Sequence, residues 1–470
     1  MAHLLVAATH KSSGKTIFTT GLAAALARRG IVVQPFKKGP DYIDPMWLGR
    51  AAGRPCYNLD FHCMEEAEII ATFGRRHGDA DISVIEANKG LFDGVDLQGR
   101  DSNAALASLL GAPVVLVIDT LGVTRGIAPM VLGYLNFDTR VRIGGVVLNK
   151  VGGPRHEGKL RAALEYYTNV PVLGAIGRDP ALEIPERHLG LVPANETDAA
   201  DITISRLADA VAGQVDLDRL VTIAGTAPGL RAAPALVPEP ARPSAHIRLG
   251  IARDAAFGFY YPDDLEALAG AGAELVPFDT LRDPSLPSVD GLFLGGGFPE
   301  TQMAALEANR TMRANIGAAI AGGMPCYAEC GGMMYLSESL TWNGETREMC
   351  GALPGHTVMH DRPQGRGYVV LEETGAGPWP MQPSETGVPA RFPAHEFHYA
   401  SLEGLPQDLR FAYRVIRGHG IDGAHDGVVH GNLLASFSHL RDVEGNRWAT
   451  RFVDFVRSRF RQQPRQAAAN

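Results

Sequence analysis

The most informative stretch of this sequence is THKSSGKT, residues 9–16, which lies between an apolar run and a helical pattern. The apolar run His3–Ala8 predicts a buried strand, and the residues from Ile17 to Arg29 predict a helix. A strand, a loop of small residues and a Gly-Lys-Thr sequence that opens a helix are typical of a phosphate-binding P-loop. Thr9 stands where the first glycine is usual, at the position farthest from phosphate. The stretch therefore predicts an α/β domain that binds a nucleotide.

Each residue near the end of this loop has an expected role. The backbone N–H groups of Ser12, Ser13 and Gly14 would converge on phosphate oxygens, since small side chains permit that approach. Lys15 would neutralise the β- and γ-phosphates of ATP, and the Thr16 hydroxyl would bind Mg²⁺. ATP and Mg²⁺ are therefore the predicted cofactors.

Acidic residues at two other strand ends are candidates for the metal site. Asp41 and Asp44 lie in the stretch GPDYIDP, residues 39–45, and Glu86 ends a predicted strand. Because Mg²⁺ takes few protein carboxylates and completes its shell with phosphate and water, Asp41 and Glu86 suffice together with Thr16. Turn formation is another explanation for the aspartates, since Pro-Asp and Asp-Pro pairs favour turns.

Two features near this site are open to different interpretations. Lys37 and Lys38 could take part in the metal and phosphate site, or they could as easily be solvated surface charges. Asn149, which ends the apolar run Ile143–Asn149, could hydrogen-bond the adenine or simply cap its strand.

A cysteine in the second half of the chain is the candidate nucleophile. Residues 325–334, PCYAECGGMM, pass from a strand into a helix through small residues, and a side chain on so sharp a turn stands clear of the sheet. Cys330 occupies that turn, where the following helix N-terminus favours a thiolate, whereas Cys326 is expected to be a buried structural thiol. Upstream, Gly296 and Gly297 end another strand, where exposed N–H groups could form an oxyanion hole.

The expected partner of this cysteine is a late histidine. His439 follows a strand-like run, and a Cys–His pair is enough for acyl transfer if another group holds the imidazole. Related enzymes often carry glutamate two positions later, where this chain has Arg441. We therefore predict a Cys–His dyad with no carboxylate as a third member. The rival His430 is expected in a turn before Gly431. The cluster HEFHY, residues 395–399, lacks the spacing of a zinc helix, so we expect a strand with a structural or substrate-lining role.

The chain is predicted to fold into two α/β domains, each an open, doubly wound sheet. Short aliphatic runs of strand length recur in both halves, as expected for parallel sheets covered on both faces. The proline- and alanine-rich residues between them have no helical or strand periodicity. We predict an ATP-binding domain over residues 1–224, a linker over 225–246, a second domain over 247–462 and a disordered tail over 463–470.

The composition limits the partners and the location. The formal net charge of −8 argues against nucleic acid, because phosphate backbones are bound by basic faces. The five cysteines are few and irregularly spaced, which favours a reducing cytosol over a disulfide framework. No apolar run reaches spanning length, so we expect a cytoplasmic protein without a membrane segment. The oligomeric state stays open, a homodimer included.

Taken together, these segments resemble the cobyrinic acid a,c-diamide synthase family over nearly the whole chain. The likeness is carried by SSGKT, QPFKKGPDYIDP, VIEANKGLFDG, GGVVLNKV, LFLGGGFPE, YAECGGMMYL and AHEFHYAS. The resemblance implies a first domain similar to dethiobiotin synthetase and a second similar to class I glutamine amidotransferases. It also implies that Cys330 and His439 release ammonia from L-glutamine, and that Asp44 and Asp93 lie around Mg-ATP and the substrate carboxylate.

The reaction implied by the resemblance is ATP- and glutamine-dependent amidation of the a and c acetate carboxylates of a tetrapyrrole, through an acyl phosphate. This chain reads EANKG at residues 86–90, where family members usually read Glu-Gly-Val-Met-Gly, so Lys89 adds positive charge where a polycarboxylate would sit. In this departure the chain resembles the branch of the family that amidates sirohaem or sirohydrochlorin. The choice of ring stays open.

Two further alternatives compete with this interpretation. Another polycarboxylate, such as a cell-wall precursor, could be the substrate of the same chemistry. A P-loop switch ATPase would bind partners without making a product, but that class has no amidotransferase half. Cys330, His439 and the glycine-rich strand end therefore argue against it.

Overall fold

The computed structural model describes residues 1–187, 190–197, 199–229, 247–382 and 387–462. The chain forms two compact units, Met1–Leu236 and Val237–Asn470. Most of the predicted linker and all of the predicted tail lie outside the described residues. The division into two α/β units agrees with the predicted fold class.

The first unit is built on seven parallel strands. They are β1 Ala2–Ala8, β2 Val33–Lys38, β3 Tyr57–Leu59, β4 Ile82–Glu86, β5 Val114–Asp119, β6 Ile143–Val151 and β7 Val172–Gly177. Their order in the sheet is β3-β2-β4-β1-β5-β6-β7, and every pairing is parallel. The order reverses around β1, so the carboxyl ends of β2, β4 and β1 meet at one edge, where open α/β sheets bind ligands.

Helices cover both faces of this sheet. They are α1 Lys15–Arg28, α2 Ile43–Ala52, α3 Glu66–His77, α4 Asn103–Leu110, α5 Ile127–Phe137, α6 Pro154–Tyr167, α7 Ala200–Gln214 and α8 Leu217–Gly225. Val33 of β2 belongs to the core beneath α1, α7 and α8, whereas Phe36 packs its ring 4.8 Å from that of Phe73 on α3. Because neighbouring strand residues point to opposite faces, both faces of β2 are buried and each contributes an apolar side chain to a core. A short hairpin, β8 Glu186–Arg187 and β9 Gly190–Leu191, follows β7.

The polar end of β2 is the main difference from the expected first unit. The runs Ile82–Glu86 and Val114–Asp119 are confirmed as strands to the residue. Lys37 and Lys38, however, are only 2% and 3% exposed, so their interpretation as solvated charges is wrong. They lie on β2, a strand buried between β3 and β4 in the sheet.

The second unit contains fifteen strands and five helices within residues 247–382 and 387–462. The strands are β10 Ile247–Ala252, β11 Phe257–Phe259, β12 Ala273–Phe278, β13 Gly291–Leu294, β14 Gly296–Gly297, β15 Cys326–Glu329, β16 Ser339–Trp342, β17 Glu345–Glu348, β18 His356–Met359, β19 Gly365–Glu373, β20 Arg391–His398, β21 Ala400–Glu403, β22 Arg410–Arg417, β23 His425–His430 and β24 Leu433–Ser436. The helices are α9 Pro262–Gly270, α10 Met303–Ala308, α11 Arg310–Ala321, α12 Gly331–Leu336 and α13 Trp448–Gln462.

Nine of these strands form one mixed sheet in the order β12-β10-β13-β15-β24-β23-β22-β19-β20. The first five are parallel, and the last four continue the sheet in antiparallel fashion. The parallel half agrees with the predicted open sheet, and the antiparallel half extends it. The expectation that HEFHY lies in a strand is confirmed, since residues 395–398 belong to β20. The second unit therefore places β15, β24 and β20 in a single sheet.

No helix within the described ranges combines the length and apolar character needed to cross a bilayer.

Candidate active sites

The phosphate loop lies between the end of β1 and the start of α1. Gly14 has a φ of 86°, and a Cβ there would come within 2.1 Å of Nδ2 of Asn149, so only glycine fits. Nδ2 of Asn149 donates a hydrogen bond to the carbonyl oxygen of Ser13 over 2.9 Å, and Nζ of Lys150 donates to that of Ser12 over 3.2 Å. Asn149 lies inside β6 and supports the loop through this bond, so it does more than cap its strand, and its hydrogen bond with the adenine stays a prediction.

Acidic side chains gather around the buried cation Lys37 beside this loop. The parallel register places Glu86 of β4 next to Lys37 of β2, and Nζ of Lys37 lies 2.6 Å from Oε1 of Glu86. The same ammonium group contacts Asp44 and lies 3.5 Å from Oδ2 of Asp41. Oγ1 of Thr16 donates to Oε1 of Glu86 over 3.0 Å. The structure therefore brings together the predicted residues Thr16, Asp41, Asp44 and Glu86.

Burial and mutual charge shift the pKa values of these groups. Burial and the charge of Asp44 raise the pKa of Asp41 to about 7, although Lys37 opposes the shift. Burial would lower the pKa of Lys37, but the carboxylates of Asp44, Glu86 and Asp41 raise it well above the usual value, so Lys37 stays charged. Burial and the charge of Lys37 lower the pKa of Lys15 to about 8, against the opposing effect of Glu86, Asp44 and Asp93.

The residues present fit a magnesium–nucleotide complex. Oε2 of Glu86 is buried and has no hydrogen-bonding partner in the described part of the chain, as expected of an atom that awaits a cation. Within the same residues, no group of three His, Cys, Asp or Glu side chains forms a metal cage. Mg²⁺ needs no such cage, because phosphate and water complete its coordination. The metal role of Thr16, Asp41 and Glu86 stays a prediction.

The predicted substrate residues lie in the segment after β4. Oδ2 of Asp93 accepts a hydrogen bond from the N–H of Gly90 over 2.9 Å, and the side chain is exposed. Lys89 is also exposed, and its φ of 44° is unusual for a residue with a side chain. Because Asp93 raises the pKa of Lys15, the two groups are within electrostatic reach of each other. The contact of Lys89 and Asp93 with a substrate stays a prediction.

Replacing Lys37 with methionine is expected to lower the free energy of unfolding of the first unit by about 3 to 5 kcal/mol. The change would leave the carboxylates of Asp44 and Glu86 without the cation that they contact. The loss should be smaller at pH 5 than at pH 8, because protonation neutralises carboxylates whose cation is gone. Urea unfolding of the full chain, followed by hydrogen exchange of first-unit peptides, measures both effects. The exposed Lys159→Met is the matched control, and equal stability of the two variants would contradict the prediction.

A sharp turn in the second unit presents Cys330. The cysteine follows β15 directly and has φ 46° and ψ −106°, and its N–H donates to the carbonyl oxygen of Ser436 over 2.7 Å. A Cβ on Gly331 would lie 2.9 Å from the nitrogen of Gly297, and one on Gly332 would lie 2.2 Å from the oxygen of Leu294. The turn thus depends on glycine at both positions.

The two cysteines of this segment differ in their surroundings. Cys326 is fully buried within the apolar core of the unit, as the sequence predicted. Cys330, at 7% exposure, lies instead beside the polar side chain of His439, with which its thiol forms a hydrogen bond.

His439 is held beside the turn by a carboxylate that the sequence reasoning excluded. Nδ1 of His439 lies 3.3 Å from Oε2 of Glu329, the residue immediately before the cysteine. The expectation of a dyad without a carboxylate is therefore wrong: the acidic side chain comes from the strand of the nucleophile and not from position 441. Arg441 instead pairs with Asp263 over 2.8 Å and lies over the ring of Tyr261.

The imidazole of His439 has further contacts on β20. Its ring stacks on that of His395 at a centroid distance of 4.9 Å, and its backbone N–H donates to the carbonyl oxygen of His395 over 2.8 Å. Burial lowers the pKa of His439, but hydrogen bonds with Cys330 and Glu329 outweigh it and raise the pKa to about 10. The imidazolium form therefore persists through neutral pH. His395 thus helps to hold His439, and a substrate-lining role of the HEFHY cluster stays a prediction. The expectation that His430 lies in a turn is wrong, because it is the exposed last residue of β23, just before Gly431.

The predicted oxyanion glycines lie against the same turn. Gly296 and Gly297 form β14, which pairs with β11. A Cβ on Gly296 would lie 2.7 Å from Cε1 of His439, and one on Gly297 would lie 1.9 Å from the oxygen of Ala256. Both positions therefore require glycine, while donation of their N–H groups to a reacting oxygen stays a prediction.

Sequence reasoning missed three residues at these sites. Lys37 was signalled by its place one residue before the end of β2, and Glu329 by its place at the end of β15. Tyr134 gave no local signal: its hydroxyl donates to the carbonyl oxygen of Thr9 over 2.6 Å from α5, far along the chain.

Comparison with known proteins supports this division into two sites. Residues 4–192 match the CobQ/CobB/MinD/ParA nucleotide binding domain, and residues 248–445 match the CobB/CobQ-like glutamine amidotransferase domain. A cobyrinate a,c-diamide synthase of Magnetococcus marinus is 48% identical over 97% of this chain and 97% of its own length. The Methanosarcina acetivorans protein of that name is 42% identical over 94% of this chain and 92% of its own. With both domains and nearly full-length similarity, this chain belongs to the cobyrinate a,c-diamide synthase family of glutamine-dependent ligases.

Proposed function

We propose that this chain uses ATP and the amide nitrogen of L-glutamine to convert the a and c acetate carboxylates of cobyrinic acid into carboxamides. The observation that carries the proposal is the presence of two different sites in one chain, a phosphate loop among carboxylates and a cysteine turn with its histidine. Relatives that match nearly the whole chain are named cobyrinate a,c-diamide synthases, which supports cobyrinate as the ring. The comparisons give the sirohaem alternative no support.

The second unit would release ammonia from glutamine. The sulfur of Cys330 attacks the carboxamide carbon, and the N–H groups near Gly296 and Gly297 stabilise the negative oxygen that forms. His439, protonated at neutral pH, gives a proton to the departing nitrogen. The carbon–nitrogen bond breaks to leave a thioester and ammonia. Water then hydrolyses the thioester, which releases glutamate and restores the thiol.

The first unit would activate the ring carboxylate. A carboxylate resists amines because its oxygen leaves poorly, so the carboxylate first takes the γ-phosphoryl group of ATP and becomes an acyl phosphate. Ammonia displaces the phosphate and leaves the amide. Lys15 would bind the terminal phosphates, and Thr16 and Glu86 would hold Mg²⁺ together with Asp41. Bound Mg²⁺ would neutralise charge on the phosphates.

Charged side chains at the same edge of the sheet are suited to a polycarboxylate. The exposed ammonium group of Lys89 would pair with carboxylates of the ring, and Asp44 and Asp93 would lie around Mg-ATP and the reacting side chain. Asp44 already contacts Lys37, so it belongs to the acidic cluster and would act from there.

Mass spectrometry of the products tests the proposal. The full chain would be incubated with Mg-ATP and glutamine and, in separate reactions, with cobyrinic acid or sirohydrochlorin. We expect the diamide of cobyrinic acid, formed only when both ATP and glutamine are present. Amide formed only from sirohydrochlorin would contradict cobyrinic acid as the substrate. Product from neither ring would contradict tetrapyrrole amidation.

A further inference from the structure

We propose that Glu329 is a positioning residue for the glutaminase site: its carboxylate accepts a hydrogen bond from Nδ1–H of His439 and so directs Nε2 of the imidazole to the Cys330 thiol. The inference rests on the proposed roles of Cys330 and His439, and it assigns a function to a residue outside that pair. It also places the carboxylate of the site directly before the nucleophile in the chain, not after the histidine.

The first support is the geometry around the carboxylate. Oε2 of Glu329 lies 3.3 Å from Nδ1 of His439, and both side chains are almost wholly buried. Oε1 accepts a hydrogen bond from the hydroxyl of Tyr327 over 2.5 Å and another from the N–H of Leu440 over 2.9 Å. Two donors thus fix one oxygen, which leaves the other to face the imidazole.

The second support is the strand register that brings the three groups together. Glu329 pairs with Ser436 across the parallel strands β15 and β24, and the chain then turns through His439. The N–H of Leu440 binds Glu329 while the N–H of His439 binds the carbonyl oxygen of His395. The backbone on both sides of the imidazole is therefore held by hydrogen bonds. Small movements of the ring are restricted, as a proton-transfer group requires.

The third support is the different role of the two ring nitrogens of the imidazole. With Nδ1–H bound to a carboxylate, the proton that His439 gives to the departing nitrogen, and later takes back from water, is the one on Nε2. The titratable groups that face His439 are Glu329 and Cys330 on the turn and His395 on β20. Of these, Glu329 provides the negative charge that lies on the Nδ1 side.

The test is Glu329→Gln in the full chain. Glutamine keeps the size of the side chain and an oxygen for Tyr327, but it offers Nδ1 a donor in place of an acceptor. We expect kcat for glutamine hydrolysis to fall about 10²- to 10³-fold, because Nδ1–H would lose its acceptor and Nε2 would no longer be directed to the thiol. Amidation with added ammonium should be unchanged, which shows that the protein is folded and its first unit active.

The pH profile separates positioning from a merely structural role. The pH profile of glutamine hydrolysis reports the loss of the His439 proton, which the departing nitrogen requires. In Glu329→Gln the alkaline limb of that profile should move to lower pH by about one unit or more, because the carboxylate is one of the groups that raise the pKa of His439. Glu373→Gln, which alters another buried carboxylate of the same unit, should leave the profile unchanged.

A second variant tests the same contact if the first one folds poorly. Tyr327→Phe removes one donor to Oε1 within an aromatic core that accepts phenylalanine. We expect a loss of about fivefold in glutamine hydrolysis and a shift of the profile in the same direction. Unchanged kcat and an unchanged profile in Glu329→Gln would overturn the inference. Glutamine hydrolysis by Cys330→Ala would instead overturn the proposed nucleophile.

Discussion

Cys330→Ser is expected to lose glutamine-dependent amidation by on the order of 10⁴-fold or more while it keeps amidation with added ammonium. The serine hydroxyl at this turn would be a far weaker nucleophile than the thiol, because hydroxyl groups ionise much less readily than thiols do. Ammonia in equilibrium with added ammonium would react with the acyl phosphate directly, so its use would not depend on the cysteine.

The measurement compares the two nitrogen sources at saturating ATP. Cys326→Ala is the matched control, because that cysteine lies four residues earlier in the same segment and is buried in the core. It should keep both activities. Equal loss of both activities in Cys330→Ser would contradict the division of labour between the two units.

Lys15→Met is expected to have the complementary effect. Amidation with either nitrogen source should fall on the order of 10³-fold or more, because the γ-phosphoryl group would lose the cation that stabilises its transfer. The pKa of Lys15, lowered to about 8 by burial and the charge of Lys37, still leaves the ammonium form in the majority at pH 7. Above pH 8 the wild-type rate with glutamine should decline as Lys15 loses its proton.

Product formation and glutamine hydrolysis, measured in parallel, distinguish this variant from the cysteine variant. Lys15→Met should retain glutamine hydrolysis, since Cys330 and His439 lie in the other unit. The exposed Lys159→Met on α6 of the same unit is the control for loss of a positive charge. Amidation at the wild-type rate in Lys15→Met would contradict the role of the loop in phosphoryl transfer.

The sequence predicted the parallel core of both units because the strands of that core are short, continuous apolar runs. Runs such as Ile82–Glu86 and Ile247–Ala252 became strands without a change of boundary. The antiparallel strands of the second unit were harder to predict. In β22, Arg410–Arg417, several exposed charged residues interrupt the apolar ones, and its place in the sheet depends on pairing with distant partners.

The site residues divide along a similar line. Gly14, Lys15 and Cys330 lie on local turns whose sequences indicate their geometry, so the sequence identified them. Glu329 and Lys37 are different, because each becomes informative only through a neighbouring strand. Lys37 meets Glu86 through the register of β2 with β4, and Glu329 meets His439 through that of β15 with β24. Neither register can be deduced from short-range patterns.

The backbone of Cys330 has a consequence for how this protein can change over evolutionary time. Its φ of 46° belongs to a region that glycine enters freely, and holding another residue there costs about 1 to 3 kcal/mol. The neighbouring glycines pack too closely for the turn to relax. Selection for stability alone would therefore favour glycine at position 330, and only selection for chemistry retains the sulfur. In a duplicated copy that no longer hydrolyses glutamine, replacement of this cysteine by glycine would increase the stability of the fold.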